Sequence, residues 1–439
     1  MMFHSQKRVI LLSIGLMVSL VSACSSSEWQ VSATPSDSAV SAALDNQPDP
    51  ALLRDIALPQ QAAMTLPTSV RPCCAFGNGQ KVKLGAMTIP FYRHANTISL
   101  EDLGAHAYEA GSFSHQKSAP NEGRSGENNG IIYTRKGGFI DLAHVRDTAD
   151  NAVALFYQIH PNLGEKQSIA LPFEIGPRTI EIDRFEVKHL TATQRWELAA
   201  AMAVRLAYSM AEAHEIAQYH GYRSFGPWTE DVSAYSPEDL YSNMLGAKIA
   251  LAVLTNNLAM TRLQFNYHMT SWIATTLAWL EPVTAAETDA LFDVIDGYWW
   301  DSNEPMPNKF MLLKRHYELG EQQSPYLVPI DMAKNSNTWS DVASVYETPN
   351  VAHDLSLANH VHGITIDNVA KQWLHVDAKF ESHFEHVPES LWRDGFTQQS
   401  FLALTRYNEK LDEKLLSEHL SQHSHLPLAI EQTSQGEQK

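Results

Sequence analysis

Cysteine is scarce in this chain, which has three: Cys24 near the amino terminus and the adjacent pair Cys73 and Cys74. No Cys-x-x-Cys spacing occurs, so the sequence excludes a cysteine-based zinc knot. A Gly-rich phosphate loop and a Gly-x-Ser-x-Gly nucleophile elbow are also missing, which argues against phosphate-loop nucleotide chemistry and against α/β-hydrolase catalysis.

Positive charge is also in short supply. Lysine and arginine total 32 against 50 aspartate and glutamate residues, a formal net charge of −18. Such a chain repels the phosphate backbone, so nucleic acid is excluded as a partner. The same charge argues against direct electrostatic docking on anionic lipid.

The amino terminus has the features of an export signal. Lys7 and Arg8 precede an uncharged apolar run, Val9–Val21. This run is too short to cross a hydrocarbon core of roughly 30 Å as a helix, so it is typical of a signal peptide. It ends in small residues followed by Cys24, which resembles the lipobox of bacterial lipoproteins. That resemblance implies removal of residues 1–23, acylation of Cys24 and a permanent membrane anchor.

The resemblance to lipoproteins also implies an address. Ser25, rather than aspartate, follows the anchor residue, which favours the outer membrane, on its periplasmic side. The composition of residues 24–66 predicts a disordered tether with a root-mean-square span of roughly 35 Å. Residues 67–345 are predicted to form the main folded domain, and residues 346–439 a C-terminal strand and helix extension with a polar tail.

The fold class predicted for this body is α+β, with a helical middle of three to five helices packed with short strands. Asp141 is a plausible N-cap for the first of these helices, and Thr191 with Gln194 forms a capping-box pattern for the longest. Ser236 and Pro237 predict the start of a further helix. The strict alternation over residues 373–385 predicts one long half-buried strand near the C-terminus.

Two groups of polar residues on predicted helices are candidates for chemistry. His144 and Asp147 lie three residues apart and therefore on one stripe of their helix, where they can share a metal ion or form an acid–base pair. The alternative is a solvated polar face. His214 and Glu215 follow on the next helix, and His214 shares a stripe with apolar residues. A zinc-protease His-Glu-x-x-His motif fails because position 218 is glutamine.

Further oxygen and nitrogen ligands follow in the sequence. Asp239 and Asn243, at i and i+4, can supply oxygen atoms to an ion held between helices. The alternative is that Asp239, with Glu238, only stabilises the positive end of the helix dipole. His360 and His362 resemble the His-x-His pairs of metal-dependent hydrolases, although histidine is frequent enough here for a chance pair.

Cys73 and Cys74 allow three interpretations. They can be buried or oxidisable thiols, or a vicinal disulfide closing a strained ring in the oxidising periplasm. They can also supply a nucleophile or a metal ligand.

Several motifs in one order resemble a bacterial family known as domain of unknown function 4056, many of whose members are predicted lipoproteins. These motifs are Arg71–Gly77, Gly138–Asp147, His214–Ile216 and Ser236–Asn243. The resemblance covers roughly residues 66–345. It implies residence in the cell envelope and no established activity or site.

The sequence therefore leads to three hypotheses. The first is a lipid-anchored periplasmic hydrolase that uses a divalent metal, zinc before others, with Glu215 and His214 as catalytic residues. Its metal ligands are predicted to be His144, Asp147, His214, Asp239 and Asn243. The second is a non-catalytic lipoprotein that binds or braces an envelope partner. The third is a thiol enzyme that uses Cys73 or Cys74 with His144 or His214 as base.

Overall fold

The computed structural model describes residues 34–45, 64–72, 77–90, 96–111, 113–114, 126–224 and 230–422. Cys24, Cys73 and Cys74 lie outside these residues, so the predictions made for them stand as predictions. The described residues from Pro35 onward belong to one compact unit. The division between residues 345 and 346 stays a prediction. No helix in the described part of the chain is long and apolar enough to cross a membrane.

Helices dominate the described residues. The α-helices are α1 (Asp37–Asp45), α2 (Leu142–Ile159), α3 (Ala192–Tyr219), α4 (Asp239–Thr255), α5 (Arg262–Trp279), α6 (Ala285–Ile295), α7 (Ile330–Lys334), α8 (Trp339–Val342), α9 (Ile366–Val369) and α10 (Gln398–Gln422). Short 3₁₀ helices cover Leu100–Asp102, His160–Asn162, Lys309–Met311, Ala343–Tyr346, Ala378–Phe384 and Glu389–Leu391.

The strands are short and form several small sheets. They are β1 (Ser69–Val70), β2 (Lys81–Leu84), β3 (Met87–Pro90), β4 (Phe113–Ser114), β5 (Ile131–Thr134), β6 (Gly138–Asp141), β7 (Gln167–Leu171), β8 (Arg178–Ile182), β9 (Pro305–Met306), β10 (Gln322–Gln323), β11 (Leu355–Ser356), β12 (His360–Val361), β13 (Ile364–Thr365), β14 (Ala370–Leu374) and β15 (Phe396–Thr397). The largest described sheet has the antiparallel order β15-β14-β8-β7. The predicted α+β class with a helical middle is confirmed.

Helices α2, α3 and α4 pack against one another and form the centre of the core. Helices α2 and α4 approach closely at Gly246 of α4, where an added Cβ would lie 2.2 Å from the carbonyl oxygen of Val145 in α2. Only glycine permits this contact, because any side chain would push the two helices apart. The contact fixes the register of α2 on α4, and with it the neighbours of His144.

Two sequence patterns predicted the local start of a helix with different success. At the start of α3, Thr191 Oγ1 accepts from the Gln194 amide at 3.2 Å and Gln194 Oε1 accepts from the Thr191 amide at 2.9 Å, so the capping box is confirmed. The start of α4 was predicted at Ser236, but the helix begins at Asp239. The Ser236 hydroxyl donates to Glu238 Oε2 at 2.6 Å instead of capping a helical N–H.

The long strand predicted over residues 373–385 is wrong. Strand β14 ends at Leu374, and residues 378–384 form a 3₁₀ helix. The Asp377 side chain accepts a hydrogen bond from the Lys379 amide at 3.2 Å, which caps that helix and turns the chain out of the sheet. The alternating pattern alone could not reveal this side-chain hydrogen bond, which competes with continuation of the strand.

The predicted disordered tether is also wrong in part. Helix α1 lies within residues 24–66, and its side chains Val40 and Leu44 are fully buried in the main core. The low aromatic content of this segment misled the prediction, because two aliphatic residues four apart suffice to fix a two-turn helix against α4 and α5.

Candidate metal centre

The centre of the candidate site is the junction between β6, α2 and α4. Asp141 ends β6 and caps α2, and its Oδ1 accepts from the Ala143 amide at 2.7 Å. The Asp141 amide donates to Ser242 Oγ in α4 at 2.9 Å. This bond ties the first turn of α2 to the first turn of α4, which is why His144 and Asp239 meet.

Three side chains at this junction have the geometry of metal ligands. Asp141, His144 and Asp239 each offer one ligand atom, and these atoms lie within 4.8 Å of one another. His144 Nε2 and Asp239 Oδ1 are 3.1 Å apart. Ligand atoms about 2.0 to 2.2 Å from a tetrahedral zinc ion lie a little over 3 Å apart, so only small side-chain shifts are needed for this set to hold one ion.

Asn243 sets the orientation of the His144 ring. Its Oδ1 accepts from Thr148 Oγ1 at 2.7 Å, which leaves its amide nitrogen 3.2 Å from His144 Nδ1 and 2.9 Å from the Asp239 carbonyl oxygen. In the neutral form of the ring, this arrangement makes Nδ1 the acceptor and leaves the proton on Nε2, which faces Asp239. An ion at Nε2 therefore requires the proton to move to Nδ1 and Asn243 to turn its oxygen toward the ring.

Two further carboxyl groups lie beside this set. Glu215 is fully buried in α3, its Oε2 accepts from the Tyr235 amide at 2.7 Å, and its Oε1 has no hydrogen-bond partner among the described residues. Glu238 has the same pattern, because Ser236 donates to Oε2 and no described residue donates to Oε1. We call Asp141, His144, Glu215, Glu238 and Asp239 together the acidic site.

Burial and the neighbouring carboxylate raise the pKa values of Glu215 and Glu238, and the pKa of His144 is raised for a different reason. Burial raises the pKa of Glu215 to about 7, with the charge of Asp239 adding to the rise and His144 opposing it. Burial and the charge of Asp239 also hold the pKa of Glu238 well above its ordinary value. Burial would lower the pKa of His144, but the carboxylate of Asp239 more than offsets this and the pKa lies well above the usual range.

The acidic site has a surplus of negative charge. Among the described residues, no lysine or arginine forms an ion pair with Glu215, Glu238 or Asp239. Buried carboxyl groups in such a set must be protonated, hydrogen-bonded or neutralised by a bound cation. His144 is the member with access to the surface, with 13% of its side chain exposed.

Asp147, which the sequence placed beside His144, faces a different cluster. Its Oδ1 lies 2.6 Å from Arg71 Nη1, and its Oδ2 accepts from the Arg71 amide at 2.9 Å. The same guanidinium contacts Asp150 at 3.0 Å and Glu127 at 2.7 Å. Asp147 is therefore removed from the predicted metal ligands.

This second cluster contains two further basic residues, His106 and Arg146. His106 lies 3.0 Å from Asp150 and 3.3 Å from Glu127. Arg146 is buried and donates to the Leu103 carbonyl oxygen at 2.8 Å. We call the set the arginine network, with the members Arg71, His106, Glu127, Arg146, Asp147 and Asp150. Its carboxylates have arginine or histidine partners, so it ties the segments around residues 71, 106 and 127 to α2.

His214 also lies outside the predicted shared site. Its Nδ1 is 2.9 Å from Glu174 Oε1, and Arg178 pairs with the other oxygen of Glu174 at 2.9 Å. Burial lowers the pKa of His214, but Glu174 outweighs this and the pKa is raised to about 8. Adjacent helical residues point about 100° apart, so Glu215 faces the acidic site while His214 faces Glu174.

The predicted His360 and His362 pair does not form a joint metal site. His360 is exposed, with Nδ1 3.3 Å from Thr365 Oγ1, and His362 Nε2 contacts Glu197 in α3.

Of the predicted site residues, the structure brings together His144, Asp239, Asn243 and Glu215. It separates Asp147 and His214 from them. The sequence did not identify Asp141 as a ligand, although its position directly before α2 was the available signal.

A family model described as protein of unknown function matches residues 61–329, more than half of the chain and including every member of both clusters. Neither curated proteins nor solved structures give a match.

Proposed function

Since this chain belongs to the family described as protein of unknown function DUF4056, whose description names no activity, we propose a function from the acidic site. The protein is a lipid-anchored envelope hydrolase that uses a divalent metal ion. The observation that carries the proposal is the set Asp141, His144 and Asp239, whose ligand atoms lie within 4.8 Å of one another beside two more buried carboxyl groups.

Zinc is the ion that suits these ligands best, because it takes imidazole and carboxylate at short distances and leaves a position open for water. The bound ion supplies Lewis acidity and brings the pKa of water down to about 7. Asp141 and Asp239 provide the negative charge that holds it. His144 supplies Nε2. Asn243 is the positioning residue, because its side-chain oxygen accepts a hydrogen bond from the Nδ1–H group once its amide has turned.

Glu215 is the proposed general base. Its Oε1 has no hydrogen-bond partner among the described residues, and Oε2 is held by the Tyr235 amide, so one oxygen is fixed while the other is free to take a proton from water. Its pKa of about 7 matches a base that must accept and then return a proton near neutral pH. The hydroxyl group of water adds to the substrate's carbonyl, and the proton held on Glu215 passes to the leaving group.

The address is a separate part of the proposal and rests on the sequence alone. Acylation of Cys24 would place the body on the periplasmic side of the outer membrane, where peptidoglycan, lipid and envelope proteins are the accessible substrates. Mass spectrometry of the mature N-terminus tests this, since we expect diacylglycerol on Cys24. The Cys24→Ser protein should leave the membrane fraction, and an unmodified wild-type N-terminus would refute the anchor.

The metal is tested by loading chelator-treated full-length protein with zinc and measuring binding by calorimetry. We expect one zinc ion per chain, and a loss of affinity of at least about 100-fold in Asp239→Asn. His214→Gln is the matched control, because it removes a histidine that the structure pairs with Glu174, and it should bind zinc as the wild type does. Equal binding by wild type and Asp239→Asn, or no binding by either, would exclude this metal site.

Catalysis is tested separately with Glu215→Gln, which retains the proposed ligands. We expect it to bind zinc normally and to hydrolyse 4-nitrophenyl acetate and peptidoglycan fragments about 10²- to 10⁴-fold more slowly than the wild type. The rival function is a non-catalytic envelope-binding lipoprotein, and the proton arrangement of His144 with Asn243, which needs no ion, favours it. No zinc binding in the calorimetry, together with equal background rates for wild type and Glu215→Gln, would contradict the hydrolase and favour the rival.

A further inference from the structure

A cavity of about 750 Å³ lies between α3, α4 and the segment that contains β11 and β12, and none of the residues that line it belongs to the acidic site. The volume lies within the range of small-molecule sites, roughly 300 to 1,000 Å³. Helix α3 contributes Glu197, Ala201 and Val204 to the wall. Residues at i, i+4 and i+7 share one face of a helix, so this wall has a carboxyl group at the start of an apolar strip.

The carboxyl group of Glu197 has a partner for only one of its two oxygens. Its side chain is 8% exposed, and Oε2 contacts Nε2 of His362, which also lines the cavity. Oε1 is buried and has no hydrogen-bond partner among the described residues. A buried carboxylate oxygen without a donor is costly. A ligand that brings an N–H group to Oε1 would remove that cost.

The backbone holds His362 in this position. His362 and Gly363 form the two-residue loop between β12 and β13, with φ of +47° and +81°. Positive φ at both central residues is typical of a type I′ turn, where side chains other than asparagine and aspartate are uncommon. Because this hairpin places the imidazole against Oε2 of Glu197, Oε1 remains for a ligand.

The other two carboxyl groups in the wall lie beside basic residues of the protein. Asp45 Oδ1 is 3.3 Å from Nε2 of His353. Glu321 Oε1 is 2.9 Å from Nη2 of Arg205. Glu197 differs from both because one of its oxygens is buried without a donor.

The charges around the cavity favour a cation over an anion. Among the described residues that line it, Asp45, Glu197 and Glu321 are acidic, and Lys248 is the one lysine or arginine. Lys248 is buried, is hydrogen-bonded within the protein and experiences the charge of Asp45. Arg205 offsets Glu321 in a similar way. The remaining negative charge is that of Glu197, so the cavity repels a carboxylate and attracts an ammonium group.

We propose that this cavity binds a small aliphatic amine in its protonated form, with the ammonium group at Oε1 of Glu197 and the chain against Ala201 and Val204. The ammonium group has three N–H donors and a positive charge, so it supplies both the hydrogen bond and the counter-charge that Oε1 lacks. A quaternary ammonium ion carries the charge without a donor, and an alcohol carries a donor without the charge. A protonated amine therefore suits this wall better than either.

Calorimetry of chelator-treated full-length protein in detergent tests the proposal with butylamine. We expect saturable binding, and at least about 10-fold weaker binding of butyltrimethylammonium and of butanol, because each lacks one of the two interactions with Oε1. Methylamine should also bind at least about 10-fold more weakly, since each buried methylene contributes about fourfold in affinity. No saturation below about 10 mM butylamine, or equal binding of butylamine and any one of the other three compounds, would overturn the proposal.

Variants test whether Glu197 is the recognition group. Glu197→Gln should weaken butylamine binding by at least about 10-fold, because the amide oxygen can still accept from His362 while the amide nitrogen, a donor, faces the ligand. Glu389→Gln is the matched control, since it removes the same charge from an exposed ion pair with Arg393, and it should bind butylamine as the wild type does. Unchanged binding by Glu197→Gln, or an equal loss in both variants, would overturn the proposal.

Two features of the design keep the result independent of other effects. The urea midpoint of each variant shows whether it is folded, and the comparison of the four compounds on the wild-type protein needs no variant. Chelator treatment prevents coordination of the amine to a metal ion, so the outcome does not depend on the acidic site.

Discussion

The acidic site and the arginine network start from residues only three apart on α2, yet they differ in their charge balance. His144 points toward Asp141, Asp239 and the buried carboxyl groups of Glu215 and Glu238. Asp147 points toward Arg71, which also holds Glu127 and Asp150. The network neutralises its own carboxylates, and the acidic site has a surplus of them.

The difference separates two roles that look alike in the sequence. Burial alone would raise the pKa of Glu127, but hydrogen bonds from His106 and Arg71 outweigh it and hold the pKa well below its usual range. In the acidic site nothing comparable opposes burial, and the pKa of Glu215 rises to about 7. A buried carboxylate with a cationic partner stabilises the fold, and one without a partner favours a proton or a metal ion.

The largest expected effect comes from breaking the arginine network. Glu127→Gln should reduce the free energy of unfolding by about 3 kcal/mol or more, because it removes the buried carboxylate that pairs with Arg71 Nε and Arg146 Nη1. Urea denaturation measures this. Glu389→Gln, which removes an exposed partner of Arg393, is the control and should leave the urea midpoint unchanged. A loss below about 1 kcal/mol for Glu127→Gln would mean that the network contributes little to stability.

The ion pair of His214 and Glu174 offers a third buried environment to compare with the acidic site and the arginine network. Because the pKa of His214 is raised to about 8 in the folded state, the pair contributes stability below pH 6.5 that is lost as the pH rises through 8. The wild type should lose about 1 to 2 kcal/mol relative to His214→Gln between pH 6 and pH 9. Unfolding free energies of both proteins at the two pH values test this, and a constant difference would contradict it.

The smallest effect has the opposite sign. In chelator-treated protein, Glu215→Gln should raise the free energy of unfolding by about 1 kcal/mol at pH 8, because it removes a buried charge and keeps the acceptor for the Tyr235 amide. Because the pKa is raised from 4.5 to about 7, this gain is absent below pH 4.5, builds up between pH 4.5 and 7, and is complete above pH 7. If Glu215→Gln is instead less stable than the wild type at pH 8, the prediction is wrong, and a cationic neighbour stabilises the carboxylate of Glu215.

Helix positions were predictable from the sequence, whereas the partners of the helices were not. Periodicity and caps gave α2 and α3, and Thr191 with Gln194 marked the start of α3. The stripe of His144 and Asp147 was correct as a stripe. It spans about 60° of helix surface, wide enough for the two residues to meet different neighbours. The partner of Asp147 lies 76 residues away, at Arg71, a separation that no local pattern encodes.

The proximity of His144 to Asp239 and Asn243 depends on a contact between α2 and α4 that the sequence did not predict. Gly246 permits the close approach of α4 to Val145, but a glycine within a helical pattern is equally consistent with a weak point in the helix.

The docking of α1 bears on how far the protein can act. If Cys24 is fixed in the bilayer and the chain enters the core at Asp37, residues 25–36 alone bridge lipid and body. Fully extended, these residues cover about 40 Å. This length would limit the distance between the lipid surface and the folded body. Under the proposed anchor, inserting glycine and serine into residues 25–36 should increase this distance, and deleting residues there should hold the folded body closer to the lipid surface.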